Sequence, residues 1–300
     1  MKTVRYDHLT VGVPPGTAFT IATPTMMPKA HVLAAVVAPR GYGKGCITCA
    51  FIEHMKVVDR LILLSPSAAS NKALNDRLRS ILAPEDIFTD PNDVGVLDRI
   101  VAIVEQERDD YEIYHANRKK HASLLRKVNS DMPLFQIPSS DLMPSFDGKG
   151  LSAPKHRWGG KKPVIMVWFD DIMGSDIVSG RGARKLSSLC MKHRHLGALK
   201  TGGALGVSLI FNMQSYKSAQ GGIPKSLRGN LQLLLLGKTK NEKELLEIAE
   251  EFGSEISLKQ FMSVFKYATS EPHSFLMVDL NPKPEHPSKF RRNLSEFIIP

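Results

Sequence analysis

Three clusters of residues in this 300-residue chain have types and spacings that could do chemistry. The first lies in VVAPRGYGKGCIT, residues 36–48. Closely spaced glycines let a backbone turn tightly and aim its N–H groups at an anion. A following helix adds its positive N-terminal end, and a lysine can reach a terminal phosphate. The phosphate-loop pattern is G-x-x-x-x-G-K-[ST]. Gly43 and Lys44 match it, Ala38 stands at the first glycine, and Gly45 stands where a hydroxyl would hold Mg²⁺. The candidates for nucleotide contact are therefore Arg40, Gly41, Tyr42, Gly43, Lys44, Gly45 and Cys46. Taken alone, the same residues also fit a glycine turn whose lysine is merely solvated.

The second cluster is Asp170-Asp171, at the end of the apolar run 164–169. A buried strand of this kind, the Walker B pattern, delivers Asp170 to the water shell of Mg²⁺, while Asp171 can polarise an attacking water. The third is Asn212 and Gln214 in LIFNMQS, where Gln214 can orient water toward a γ-phosphate. Acidic turns and polar strand ends are common separately. In this order the three clusters point to ATP and Mg²⁺, with Asp170 as the metal residue and Asp171 and Gln214 as catalytic residues.

The elements that must position these residues read as α/β. HVLAAVV, residues 31–37, is a short apolar run that meets Pro39 and Gly41, a buried strand entering a turn. A helical pattern starts at Lys44, and KVVDRLILLSP is a second strand, which makes a βαβ unit with a parallel sheet. Residues 96–128 read as a long polar helix, and 129–163 as a loop rich in Pro, Ser, Gly and Lys. Past Asp171 come an amphipathic helix in ARKLSSLCMKHRHLGAL, strands in GVSLIFNMQSY and NLQLLLLGKT, a helix in NEKELLEIAEEFG and a late strand in SFLMVDLNPK. No internal repeat is visible. Residues 1–29 read as an extended arm, and 30–300 as one domain with an insertion at about 95–163.

Lysine and arginine number 40 against 30 acidic residues, a net charge of +10 that suits a polyanionic partner, nucleic acid first. The basic stretches 118–127 and 155–162 are the candidates for that contact. Three cysteines do not make a disulfide framework, and Cys46-x-x-Cys49 falls in a predicted helix with no second pair for zinc. MKTVRYDHLT at the start has no apolar core of a signal peptide, and no run of 18 apolar residues suggests a membrane span.

The order GYGKG, VIMVWFDD, HRHLG, GVSLIFNMQSY and IPKSLRGN resembles the FtsK–HerA superfamily, specifically the genome-packaging ATPases of large DNA viruses, virophages and related double-jelly-roll capsid viruses. The resemblance covers about residues 32–240 and leaves about 95–163 unexplained. It implies a RecA-like (ASCE) P-loop NTPase, with a central, mostly parallel sheet flanked by helices and the sensor strand between the P-loop and Walker B strands. It also implies a homo-oligomeric ring, a hexamer, that pulls double-stranded DNA into a preformed capsid inside an infected cell, with capsid or vertex proteins as partners. ATP would sit between neighbours, and Arg228 matches the position from which the family offers an arginine to the next subunit. Gly45 departs from the pattern. Cys46 is a poor substitute for a hard oxygen ligand, and Thr48 lies one helical turn further on, roughly 4.5 Å along the axis. A water held by the backbone and Asp170 would fill the place. Two other readings stay open: a conjugation or segregation pump of the same superfamily, and a nucleotide-binding DNA clamp that has lost hydrolysis.

Overall fold

The structure, a computed structural model, describes residues 21–129, 138–139, 152–217, 223, 225–239, 241–253 and 255–300. Its helices and strands follow one another as β1 (Leu33–Val37), α1 (Lys44–Met55), β2 (Arg60–Leu64), α2 (Lys72–Leu78), β3 (Ile87–Phe88), α3 (Gly95–Asn129), β4 (Ile165–Asp170) and α4 (Gly180–Lys192). The second half adds β5 (Val207–Met213), α5 (Lys225–Arg228), β6 (Leu233–Leu236), α6 (Glu242–Phe252), α7 (Leu258–Ala268), β7 (Leu276–Asp279), β8 (Phe290–Arg292) and β9 (Glu296–Ile298).

Among the described residues the strands form one nine-stranded sheet in the order β3-β2-β4-β5-β1-β6-β7-β8-β9. From β3 to β6 every pairing is parallel, and β7, β8 and β9 add antiparallel strands at one edge. The sensor strand β5 lies between β1 and β4, as the resemblance implied. This is an α/β arrangement with a central, mostly parallel sheet flanked by helices.

The reason for the near-continuous apolar strands is that both faces of the sheet are covered. Leu33, Ala35 and Val37 face a core shared with α3, α4, α6 and α7, while Ala34 and Val36 face a second core shared with α1 and α2. Strand β4 splits the same way, and Phe169 stacks on Phe211 of β5 with centroids 4.6 Å apart.

Several elements come from the tertiary structure without a clear sequence signal. β3 is only two residues long and exists by pairing with β2. β8 carries Arg291, fully buried, which donates to Met26 O and Leu294 O. The later part of the predicted arm is thereby packed against the sheet edge, with Met27 buried and Lys283 donating to Thr23 O and Pro24 O. Residues 1–20 of that arm lie outside the described residues. The first turns of α3 belong to the core through Val96, Leu97, Ile100 and Val104. Further along, Glu107 accepts from Arg60 at 2.7 Å and from Trp158 Nε1 at 2.6 Å, which pins the 154–162 segment to the helix. Among the described residues no helix is long and apolar enough to cross a membrane.

Candidate nucleotide-binding site

β1 runs straight into the glycine loop, and Ala38 N still donates to Met213 O of β5 at 3.2 Å. Gly41 and Gly43 hold φ of 74° and 95°, a region that side chains disfavour, so glycine is required for the turn at both. α1 opens at Lys44 with no side-chain cap on Gly43. Among the described residues no side chain accepts from its first N–H groups, the arrangement that suits a phosphate.

The loop is braced from outside. The Tyr42 hydroxyl donates to Ser274 O at 3.0 Å, its ring meets Phe275 edge-on at 5.2 Å, and His273 Nδ1 lies 3.1 Å from Tyr42 O. Gly237 allows close approach: a Cβ there would fall 2.6 Å from the Ala38 Cβ and 2.7 Å from the Tyr42 ring. The bracing segment 273–275 carries no phosphate-loop signature and lies more than 200 residues away, so the sequence did not reveal it.

Lys44 folds back, donating from Nζ to Ala38 O at 2.9 Å and Pro39 O at 3.2 Å. Burial lowers its pKa, and the charges of Asp170 and Asp171 oppose that shift. Arg40 and Cys46 stand exposed on either side of the loop. Cys49 is buried and its thiol is pushed up to about 12 by burial, the behaviour of a small apolar residue.

Across from the loop, the strand ends interlock. Asp170 pairs in register with Asn212, and Asn212 with Val36. Asp170 accepts from Asn212 Nδ2 at 2.9 Å and from Ser65 Oγ at 3.1 Å. Asn212 in turn accepts from Thr48 Oγ1 at 2.8 Å, and both side chains are fully buried. Burial raises the Asp170 pKa even against the two donors. Asp171 sits at φ 52°, exposed, and accepts from Gln214 Nε2 at 2.8 Å. Thr48 thus has a different task from holding metal. It connects α1 to the carboxylate through Asn212. Ser65 and this role of Thr48 have no signature in the sequence, because neither lies in a recognisable motif.

The donor set fits a metal–nucleotide pair. Two of the roughly four lone-pair sites of the Asp170 carboxylate are used, leaving room to hold a Mg²⁺-bound water, and Mg²⁺ usually keeps several waters. Gly45 offers no side-chain oxygen. Among the described residues no group of three His, Cys, Asp or Glu side chains could hold a metal by itself, so phosphate oxygens would complete the shell.

Arg228 stands outside this cluster. Its guanidinium donates to Glu251 at 3.1 Å and lies 5.3 Å from the centre of the Tyr216 ring, and the Tyr216 hydroxyl also bonds Glu251. The structure therefore brings together Lys44, Asp170, Asp171, Asn212 and Gln214, and leaves Arg228 outside that cluster, paired with Glu251.

No protein-family model matches the chain, and no curated protein matches it. Solved structures do. The genome packaging NTPase B204 from Sulfolobus turreted icosahedral virus 2, in complex with ATP-gammaS, is 14% identical with a TM-score of 0.42, over 89% of this chain and 98% of that one. The pCW3 conjugation coupling protein TcpA is 13% identical with a TM-score of 0.43, over 97% of this chain and 69% of that one. The cytoplasmic domain of the Thermomonospora curvata type VII secretion ATPase EccC is 13% identical with a TM-score of 0.41, over 89% of this chain and 25% of that one.

Proposed function

We propose that this chain is an ATPase that moves double-stranded DNA, and that its task is to package a viral genome into a preformed capsid inside an infected cell. The observation that carries the proposal is the meeting of Lys44, Asp170, Asp171 and Gln214 at the C-terminal ends of three adjacent strands. In that arrangement Lys44 exchanges its two carbonyl partners for phosphate oxygens. Asp170 would hold a Mg²⁺-bound water, and the metal would supply positive charge to offset that of the phosphates. Gln214 would orient a water beside Asp171, and Asp171 would accept its proton as the water oxygen bonds the γ-phosphorus and the bond from that phosphorus to the β–γ bridging oxygen breaks, releasing ADP and phosphate. The subunits form a homo-oligomeric ring, and Arg228 serves the neighbouring site once it has left Glu251. Capsid or vertex proteins dock the ring. Residues 30–300 act as one unit, with about 95–163 inserted in it.

One observation favours a clamp instead. Gly45 lacks the oxygen that normally helps to place Mg²⁺, and a site without hydrolysis could still bind nucleotide and DNA. A triplex-displacement assay separates the two. The full chain with ATP and Mg²⁺ is added to duplex DNA carrying a labelled third strand. A motor displaces that strand with ATP and not with a non-hydrolysable analogue. Equal results with both nucleotides, with DNA still bound, would leave the clamp.

A further inference from the structure

Between Asp176 and Glu242 the sequence holds eleven lysines and arginines and no acidic residue. Helix α4 lies at the start of this stretch. Leu186, Leu189 and Cys190 turn one face into the core. At 100° per residue, Arg181, Arg184, Lys185, Ser188 and Lys192 fall together on the opposite face. Lys185 pairs with Asp98 of α3 at 2.5 Å. Among the described residues Arg181, Arg184 and Lys192 make no ion pair, nor does Arg194 just past the helix end.

This face works against the stability of its own helix. Arg181 and Arg184, three apart, and Arg181 and Lys185, four apart, place like charges side by side. The first turn contains no acid and does contain Arg181, where the helix dipole favours negative charge. An ordinary solvated face mixes signs, as the acid-bearing first half of α3 does. A face kept cationic at a cost to its helix is built for a polyanion.

The placement of α4 ties that face to the nucleotide. It is the segment between β4 and β5, the strands that deliver Asp170, Asp171, Asn212 and Gln214. A side chain at Gly182 would collide with Asp176 O, so the first helical turn is seated on the short turn that follows Asp171. Gly174 and Gly180, with φ of 75° and 48°, shape the connection. At the other end His193 Nδ1 lies 2.7 Å from Val207 O, at the first residue of β5.

The basic stretches singled out by sequence are less well placed. Lys161 is paired with Asp59, and Lys155 and Arg157 line a cavity of about 360 Å³ beside Glu107 and Asp110. Arg118, Lys119 and Lys120 are exposed on the distal half of α3, past the turns that enter the core.

We propose that the outer face of α4, with Arg181, Arg184 and Lys192 and with Arg194 beyond them, is the surface on which the phosphate backbone of duplex DNA docks. From Arg181 to Lys192 the helix rises roughly 16 Å, which matches about five phosphates along one strand at ~3.4 Å per base pair. The proposal rests on the reading of the chain as a DNA motor and names the surface through which it would act.

The test is binding of a labelled 30-base-pair duplex to the full chain, by fluorescence anisotropy across a salt series. The variants are Arg181→Gln/Arg184→Gln/Lys192→Gln, the single Arg184→Gln, and Arg118→Gln/Lys119→Gln/Lys120→Gln on α3 for comparison. The α4 triple variant is expected to lose at least ~10-fold in affinity at low salt. Its slope of log affinity against log salt should fall by about 0.9 for each phosphate that the protein no longer neutralises, so by about 2 to 3 in all. The single variant should lose about 0.9 of slope, and the α3 triple variant much less than the α4 triple. Removing like charges from α4 should leave the melting temperature unchanged or raise it, so a loss of binding would not reflect unfolding. If wild type binds DNA and both α4 variants bind with its affinity and slope, the docking surface is elsewhere and the motor reading stands. If wild type does not bind duplex DNA at any salt, the motor reading fails and this proposal falls with it.

Discussion

The two halves of the candidate nucleotide site are prepared to different degrees. At the strand ends the polar groups are already locked, with Asp170 held by Asn212 and Ser65 and Asp171 held by Gln214. In the glycine loop the frame is fixed by Tyr42, His273 and Gly237, yet the lysine, Lys44, is turned onto the loop's own carbonyls. The carboxylate half is thus preorganised and needs no rearrangement as charge develops, which is where such sites gain most. The phosphate half must exchange two hydrogen bonds when nucleotide arrives. Burial pushes Lys44 and Asp170 toward their neutral forms from opposite directions. Bound phosphates and Mg²⁺ would favour the charged form of each.

The largest effect is expected at Asp171. Asp171→Asn keeps the bond with Gln214 within reach but cannot take a proton, so turnover should fall about 10²- to 10⁴-fold while ATP affinity is retained. Single-turnover hydrolysis alongside equilibrium binding checks this, and normal turnover would move the base elsewhere. Next comes Asn212, which links two buried groups. Asn212→Ala strands the Thr48 hydroxyl and removes a donor from Asp170, at about 2–4 kcal/mol in urea unfolding. Gln214→Ala, at an exposed position, should stay within about 0.5 kcal/mol. Equal losses for the two would erase the contrast between locked and open groups.

A smaller effect, of opposite sign, belongs to Asp170. Its carboxyl pKa is raised on folding, so the folded state holds the proton more tightly than the unfolded one. Stability from this group is present at low pH, declines as pH rises through the carboxylate range, and stays reduced at neutrality. Asp170→Asn should therefore raise the melting temperature at pH 7, with the gain disappearing as pH falls below the carboxylate range. A variant that melts lower at pH 7 would mean that the buried charge is stabilising. The smallest effect is at Gly45. Gly45→Ser returns an oxygen to the first turn of α1 and should lower the Mg²⁺ midpoint for hydrolysis a few-fold, about 1 kcal/mol or less. An unchanged midpoint would show that Asp170 and water already complete the metal shell.

Much of the frame was legible in the sequence, because parallel strands buried on both faces must be continuous apolar runs. β1, β2, β4, β5 and β6 lie in the runs read as strands, as does the antiparallel β7, and Lys44, Asp170, Asp171 and Gln214 stand at strand ends or in the segments that follow them. What escaped was made by tertiary packing. β3 is two residues that pair only because β2 is there, and β8 carries an arginine that a strand pattern would reject until Met26 and Leu294 supply its acceptors. α7 does carry a signal that the strand-and-helix pattern above leaves unused, a capping box between Ser257 and Gln260 and apolar residues at helical spacing. In the site, Thr48 is too far along α1 to serve as a metal ligand, and the sequence suggests no other task for it. Its bond to Asn212 depends on β5 lying beside β1, an order that no local pattern encodes.

The central claim is that nucleotide chemistry at this loop is tied to DNA. It is tested most directly by steady-state ATP hydrolysis of the full chain at saturating Mg²⁺, with increasing duplex DNA, in parallel for wild type and Lys44→Ala. Hydrolysis that rises with duplex in wild type and is absent from folded Lys44→Ala at every DNA concentration is the expected result. Equal turnover in the two proteins would place the chemistry outside the glycine loop, and wild-type turnover indifferent to DNA would contradict the coupling.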